Sequence, residues 1–301
     1  MTTVRPGTTD DAGPLLAIRG KVLPWQVNTV AGQRHGWAYA ARTAHGALFA
    51  VDDDRGLAGF ARAGLNTWTS EKGASSANLI VRPDARRRGV GAALLAAAED
   101  HLRAVGAQKV VVSALDDDES RRFAEKQGYE LTYDVRYQRL DLADLPPAPP
   151  IPAGVTTVPF AEVTPEQVYA VDAEAMADEP ADVSFDKVEF SDWLEDCWRD
   201  PNLDKILSVL VLVDGDPAAV TLVHADHDSG RFISGGTGTR RAYRGRGLAK
   251  IAKIVAFQAA RNAGLTEAYT GNDEVNKPML AINEWLGYRP VGAERSCVKA
   301  L

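Results

Sequence analysis

The strongest constraint on this chain is one pattern that occurs twice, half a chain apart. Arg86-Arg-Arg-Gly89-Val-Gly91 follows the apolar run Ala77 to Val81, and Arg244-Gly-Arg-Gly247-Leu-Ala249 follows Phe232 to Thr239. Each reads as a strand, a tight basic turn and a helix. Such a turn aims several backbone N–H groups and a helix N-terminus at one point, which suits an anion, most naturally a pyrophosphate. Glycine lets the backbone come close to it. Two such sites imply an internal duplication and a phosphate-bearing cofactor.

The run from Leu145 to Pro152 supplies a divider. Five prolines in eight residues exclude a helix or a central strand and predict a semi-rigid linker. The expected organisation is a first domain over 1–144, a linker over 145–152 and a second domain over 153–301. The chain is long enough for two cores. In the first domain we expect a strand at 3–6, an N-capped helix from Thr9 to about Val22, a hairpin of 46–52 with 57–63, and a strand at 77–81. A helix at 91–105, a strand at 109–115, a helix at 118–126 and a strand at 129–140 follow. The second domain repeats this order: strand 154–158, helix 165–176, hairpin 206–213 with 218–224, strand 231–239, helix 248–263, strand 267–272 and helix 277–285. That last helix closes on Leu286-Gly287-Tyr288, as Gly128-Tyr129 closes its counterpart.

Composition narrows the function. A chain that is 45% hydrophobic and 25% charged reads as soluble and globular, and no apolar run approaches the ~20 residues of a membrane span. The net charge of −7 is uneven: 19 Lys and Arg face 18 Asp and Glu through Pro150, but 15 face 23 beyond it. The acidic second half disfavours nucleic acid and favours a cationic partner, with plain solubility as the other reading. Cys197 and Cys297 build no disulfide framework, and the first residues carry no charged-then-apolar pattern. A cytoplasmic protein is therefore expected. His224 and His227 have a spacing that a metal could use, but the segment reads as a polar hairpin turn, and no metal is assigned.

The residues quoted above resemble the GNAT acetyltransferase superfamily, whose signature is a strand, Arg/Gln-x-x-Gly-x-Gly/Ala, and a helix. A later helix in that family closes on Leu-Gly-Phe/Tyr. The resemblance covers nearly the whole chain. It implies an α/β fold of two GNAT-like domains, each a splayed mixed sheet flanked by helices, with acetyl-CoA as cofactor. It places Leu79, Ile80 and Val81 along the pantetheine arm and Arg86, Arg87, Arg88, Gly89, Val90 and Gly91 around the pyrophosphate, with Ser120 also at the cofactor. In the second domain the corresponding residues are Thr237, Thr239, Arg244, Gly245, Arg246, Gly247, Ala249 and Asn276. The chain departs from the family where many members carry a Tyr as general acid: that position is Ala124 in the first half and Asn283 in the second. No catalytic acid or base is assigned.

Amine attack on a thioester needs a neutral, aligned amine and stabilisation of the developing oxyanion. Orientation alone can supply ~7–11 kcal/mol, and backbone N–H groups on the splayed strand can serve the oxyanion. The first half has the fuller motif and is the expected catalytic half, with the second serving acceptor binding or dimerisation. Gly89→Glu is then expected to block activity and Gly247→Glu to leave it. Trp25, Trp37 and Trp68 flank the expected splay and suggest an aromatic acceptor mouth. A near-neutral half joined to an acidic one suggests a small or medium acceptor with a primary amine and positive charge elsewhere. The chain looks similar to bleomycin-type antibiotic N-acetyltransferases, which would imply self-resistance. The competing readings are acetylation of protein or peptide amines and a non-catalytic protein that binds acetyl-CoA or the antibiotic.

Overall fold

The computed structural model describes residues 2–301. Its elements in chain order are β1 (Arg5–Pro6), α1 (Ala12–Val22), α2 (Val30–Thr43), β2 (Ala47–Asp53), β3 (Gly56–Leu65), β4 (Ala74–Val81), α3 (Val90–Ala104), β5 (Lys109–Leu115), α4 (Asp118–Lys126) and β6 (Glu130–Asp141). There follow β7 (Val155–Pro159), α5 (Pro165–Met176), α6 (Phe190–Trp193), β8 (Val209–Val213), β9 (Asp216–Asp226), β10 (Arg231–Thr239), α7 (Leu248–Asn262), β11 (Glu267–Asp273), α8 (Lys277–Leu286) and β12 (Arg289–Ala300).

These form two compact units. Unit 1 is Met1–Val135 with Ala181–Ser184 and Ala293–Leu301; unit 2 is Arg136–Pro180 with Phe185–Gly292. The units depart from the contiguous halves 1–144 and 153–301. The division falls inside β6 instead of the proline run, and the end of β12 belongs to unit 1. The reason is backbone pairing: residues 294–300 run antiparallel to β5, from Glu294↔Leu115 to Ala300↔Lys109. Nothing in the alternation of Arg289–Ala300 announces a strand, so β12 has no counterpart among the expected elements. Helix α2 is likewise new. It lies between the expected helix and the expected hairpin, where no element is assigned, and Thr29 caps it by accepting from the Gly32 N–H at 3.1 Å.

In unit 1 the strand order is β1-β2-β3-β4-β5-β12-β6. Strand alternation sends Phe60 and Ile80 to one face, where they pack with Leu15, Ile18 and Trp37 of α1 and α2. The other face carries α3 and α4, with Leu95, Leu102, Val110, Val112, Tyr129 and Cys297 in one cluster. In unit 2 the order is β6-β11-β10-β9-β8-β7. Its α7 and α8 face holds Phe232, Phe257, Leu286 and Tyr288, and its α5 face holds Val168, Val171, Trp193, Leu210 and Leu222. Trp193 is fully buried, so Trp193→Ala is expected to destabilise unit 2 by ~3–5 kcal/mol, read as a lower denaturant midpoint.

Candidate functional site

Each unit contains one parallel pair of strands that begins joined and then separates. In unit 1, β4 and β5 pair only at Ala74↔Lys109, Ser75↔Val110 and Ser76↔Val111. Beyond Ser76, β4 continues against β3 to Val81, and beyond Val111, β5 continues against β12. The two strands therefore splay. Asn78 and Ser113 sit mid-strand and are nonetheless exposed, which marks the gap as an open cleft. Parity with Ile80, and with Val112 on the other face, points both side chains to the α1 and α2 side.

The basic turn closes the end of this cleft. After Val81 come a 3-10 turn at Pro83–Ala85, Arg87 at φ 59° and Gly89 at φ 83°, and α3 starts at Val90. The first amides of α3 have no intrahelical acceptor. Arg86 and Arg87 lie 3.9 and 3.5 Å from Glu119, distances that leave both guanidinium groups loosely held, and Arg88 is exposed. Leu79, Ile80 and Val81 put their side chains into or against the core, so a ligand in the cleft meets their backbone. A Cβ on Gly91 would stand 3.5 Å from Phe123, in ordinary van der Waals contact. Ser120 donates its N–H at 2.7 Å and its hydroxyl at 3.2 Å to Asp117; both hydrogens serve the cap of α4.

The three tryptophans divide. Trp37 is core, 4% exposed and stacked on Phe60 at 5.0 Å between centroids; it does not line a mouth. Trp68 is half-buried and donates to the Tyr39 hydroxyl at 3.2 Å. Trp25 is buried and donates to Glu294 at 3.0 Å, and Gln26 donates to the same oxygen at 3.2 Å. Glu294 pairs in register with Leu115 at the splayed end of β5. Nearby, burial pushes Arg19 down to about 10, with the Arg62 charge adding to the shift and Glu294 opposing it. Sequence reasoning overlooked Glu294 because no helix or strand pattern placed residue 294 beside β5.

In unit 2, β10 and β11 pair at Arg231↔Glu267, Phe232↔Ala268 and Ile233↔Tyr269, and then part. The register of β10 against β9 shifts between Ser234 and Thr237, a bulge at Gly235-Gly236 that re-aims the strand. Thr237 Oγ1 lies 2.7 Å from Thr221 Oγ1 and 3.3 Å from Ser234 Oγ. The second basic turn has Gly245 at φ 76° and Gly247 at φ 74° before α7. Here the leading arginine is tied down: Arg244 donates to Asp178 at 2.5 Å and to the Thr239 carbonyl at 3.0 Å. Hydrogen bonds from Arg241, then from Arg244, hold the Asp178 carboxyl at about 2. Arg246 sits over Tyr243 at 6.0 Å, Ala249 is half-buried, and Asn276 caps α8 by accepting from the Met279 N–H at 3.4 Å.

Two buried titratable groups flank this second splay. Asp172 on α5 is 3% exposed, accepts from the Trp193 indole at 2.8 Å, and places Oδ1 3.2 Å from where a Cβ on Gly236 would stand. Burial pushes its carboxyl up to about 6, against the Trp193 hydrogen bond. On the other face, Lys253 of α7 is 1% exposed and donates to Asn283 at 2.9 Å. Asn283 in turn donates to Asn272 at 2.7 Å and Gln138 at 3.1 Å. Burial pushes Lys253 down to about 7. The signal for Lys253 was present: it shares the apolar stripe of Phe257 and Ala260.

Asp172 also yields a stability prediction. Its folded-state pKa is raised, so the folded protein binds the proton more tightly. That contribution favours folding at low pH and is lost as pH rises from about 4 toward about 6. Asp172→Asn is expected to raise stability at pH 7–8 by ~1–3 kcal/mol and little at pH 4, measured by thermal melts at both pH values.

Residues 19–129 match the acetyltransferase (GNAT) family. A mycothiol acetyltransferase from Nocardioides sp. is 28% identical over 225 residues, covering 70% of this chain and 75% of that one. One from Geodermatophilus obscurus is 29% identical over 251 residues, covering 80% and 78%. Among solved structures, a GCN5-related N-acetyltransferase from Sphaerobacter thermophilus superposes with a TM-score of 0.74 at 20% identity, over 99% of this chain and 95% of that one. A tandem GNAT protein from the clavulanic acid biosynthesis pathway does so with a TM-score of 0.74 at 20% identity, over 100% and 98%.

Proposed function

We propose that this chain, a member of the GNAT acetyltransferase superfamily that uses acetyl-CoA, transfers the acetyl group to the primary amine of a mycothiol-related small molecule. The observation that carries the reading is the unit 1 cleft, where splayed β4 and β5 open directly onto the turn Arg86 to Gly91. In this reading the amides at the start of α3 take the diphosphate, with Arg86, Arg87 and Arg88 adding charge that the loose contacts to Glu119 leave usable. The arm runs along the free backbone edge of Leu79 to Val81. The acceptor enters from the α1 and α2 side, past Trp25, Trp68 and Glu294, where a carboxylate suits a cationic amine.

When bound, acetyl-CoA supplies an activated acyl group on a good leaving thiolate. The protein then has to hold the amine near the carbonyl, exclude water and offer N–H groups to the oxyanion. The identity of the acceptor rests on the names of the relatives, all of which stand below 30% identity. A thiol-release screen tests it with acetyl-CoA and the mycothiol-forming amine, bleomycin, aminoglycosides, polyamines and peptides. The expected result is a kcat/KM for the mycothiol-forming amine at least tenfold above every other acceptor. Preference for bleomycin would transfer the function to antibiotic modification, which the acidic second half would suit. Equal rates on all amines would overturn both.

A further inference from the structure

We propose that the unit 1 cleft also takes amines that carry an anionic group, a carboxylate or a phosphate, with Arg19 and Arg62 holding that group on one wall and the amine end facing Glu294 on the other. The proposal rests on the acetyl-transfer reading of the preceding subsection and adds a class of acceptor to the same site.

The positive wall grows out of the core. Phe60 of β3, Ile80 of β4, Ile18 of α1 and Trp37 of α2 form one apolar layer under the two helices. Beside it the layer turns polar. Arg62 stands two residues beyond Phe60 and Asn78 two residues before Ile80, so both share the face of that layer, and the two are register partners. Gln33 lies one helical turn before Trp37 on the same side of α2 and is buried. Arg19, next to Ile18, donates to the Gln33 side-chain oxygen at 2.6 Å, and Asn28 donates to the same oxygen at 3.3 Å. This polar layer coincides with the cleft. The last pair of β4 with β5 is Ser76↔Val111, and Asn78 is the next β4 residue on that face. Arg19 and Arg62 are both half-buried. Burial, then the Arg62 charge, pushes Arg19 down to about 10, and the Glu294 charge only partly opposes them. Two like charges brought together away from bulk water are stabilised by an anion between them.

The opposite wall is β12. Glu294 and Ser296 pair with Leu115 and Ser113, and strand alternation sets them on the face opposite to Cys297, which lies in the α3 and α4 core. They therefore face the α1 and α2 side. Glu294 is buried and held by Trp25 and Gln26. Asp182 stands over Ser296 and accepts from its hydroxyl at 2.6 Å. Carboxylates thus line one side of the gap and guanidinium groups the other. A cleft so polarised fits a zwitterion better than a simple cation: the amine meets the carboxylates and the anion meets the arginines. The planar guanidinium fork matches a carboxylate or a phosphate through paired N–H donors.

The test compares amines that differ in the anion: L-leucine with L-leucinamide for the carboxylate, and O-phosphoethanolamine with ethanolamine for the phosphate. Thiol release from acetyl-CoA by the unaltered full chain is measured for each, with kcat/KM expressed per neutral amine. The anion-bearing member of at least one pair is expected to be preferred about 30-fold, as charge-assisted hydrogen bonds allow. The pair that shows the preference identifies the anion. Arg62→Gln is expected to cut that preference about tenfold. Arg62→Lys, which keeps the charge but not the fork, should restore part of it. Equal kcat/KM for both members of both pairs in the unaltered chain overturns the proposal, and that comparison needs no variant to fold. So does an Arg62→Gln protein that melts like the unaltered chain and loses rate on both members of a pair alike, since such a residue braces the fold and reads no charge. In either of those outcomes, transfer to the mycothiol-forming amine leaves the preceding reading standing. Absence of thiol release with every amine, the mycothiol-forming one included, sinks both.

Discussion

Gly89→Glu is expected to remove acetyl-CoA from unit 1, with at least a 100-fold loss of affinity at that site in calorimetry. Two effects add. Gly89 has φ 83° at the N-cap of α3, a left-handed conformation that costs a non-glycine residue on the order of 1 kcal/mol. The larger effect is electrostatic. A carboxylate at this position satisfies the free amides of α3 itself and repels a diphosphate, each interaction being worth ~1–2 kcal/mol at a helix N-terminus. Gly89→Ala separates the two, since an added Cβ meets only Thr2 Oγ1, at 3.7 Å. It should therefore cost less than about tenfold. Equal affinities for Gly89→Ala, Gly89→Glu and the unaltered chain would place the coenzyme away from the Arg86 to Gly91 turn. Tenfold losses from both would make backbone strain, not charge, the controlling factor.

What the sequence made legible was whatever depends on local pattern. Helices α4 and α5 and strands β5 and β10 fall at their expected bounds, because periodicity, caps and Gly punctuation all act within a few residues. The basic turns were legible for the same reason: each falls between a strand and a helix as its pattern implies, and the structure adds that Gly89, Gly245 and Gly247 take positive φ. Side-chain contacts across the fold were not. Ser120 looks available in sequence and is consumed by Asp117. Trp37 looks like mouth and is core. Arg244 looks free for phosphate and is held by Asp178, 66 residues away. Asp172 and Lys253 acquire their character only from burial, which no neighbour in sequence reports. The fuller motif favours the first half, whereas buried Asp172 and Lys253 lie in the second. Residue spacing along a loop and residue environment at a splay are different kinds of information, and each half carries more of one.

Deleting residues 293–301 is expected to unfold unit 1, even though no residue of the basic turn is touched. The cut removes the strand between β5 and β6 and the seven register pairs that 294–300 make with β5, leaving two bare edges that invite aggregation. It takes fully buried Cys297 out of the α3 and α4 core. It also strips Glu99, 6% exposed, of Lys299, whose ammonium reaches its two oxygens at 2.8 and 2.9 Å. Burial opposes a charge on Glu99; hydrogen bonds from Lys299, Tyr129 and Arg103 overcome that and hold its carboxyl below the usual range. A lowered carboxyl contributes stability that is present above the unfolded pKa and lost as pH falls through the folded one. Removing Lys299 alone, as Lys299→Met, leaves the buried carboxylate to Arg103 and Tyr129. It is expected to cost ~1–3 kcal/mol at pH 7, and less at pH 4. The full deletion removes this pair, the packing and the strand together. The sum exceeds the ~5–15 kcal/mol that holds an ordinary domain folded. Calorimetric unfolding should show the loss of one transition in the truncated chain, with the unit 2 transition retained. An unchanged thermogram would mean that residues 1–135 fold without the C-terminal strand, and that β12 decorates a sheet it does not complete.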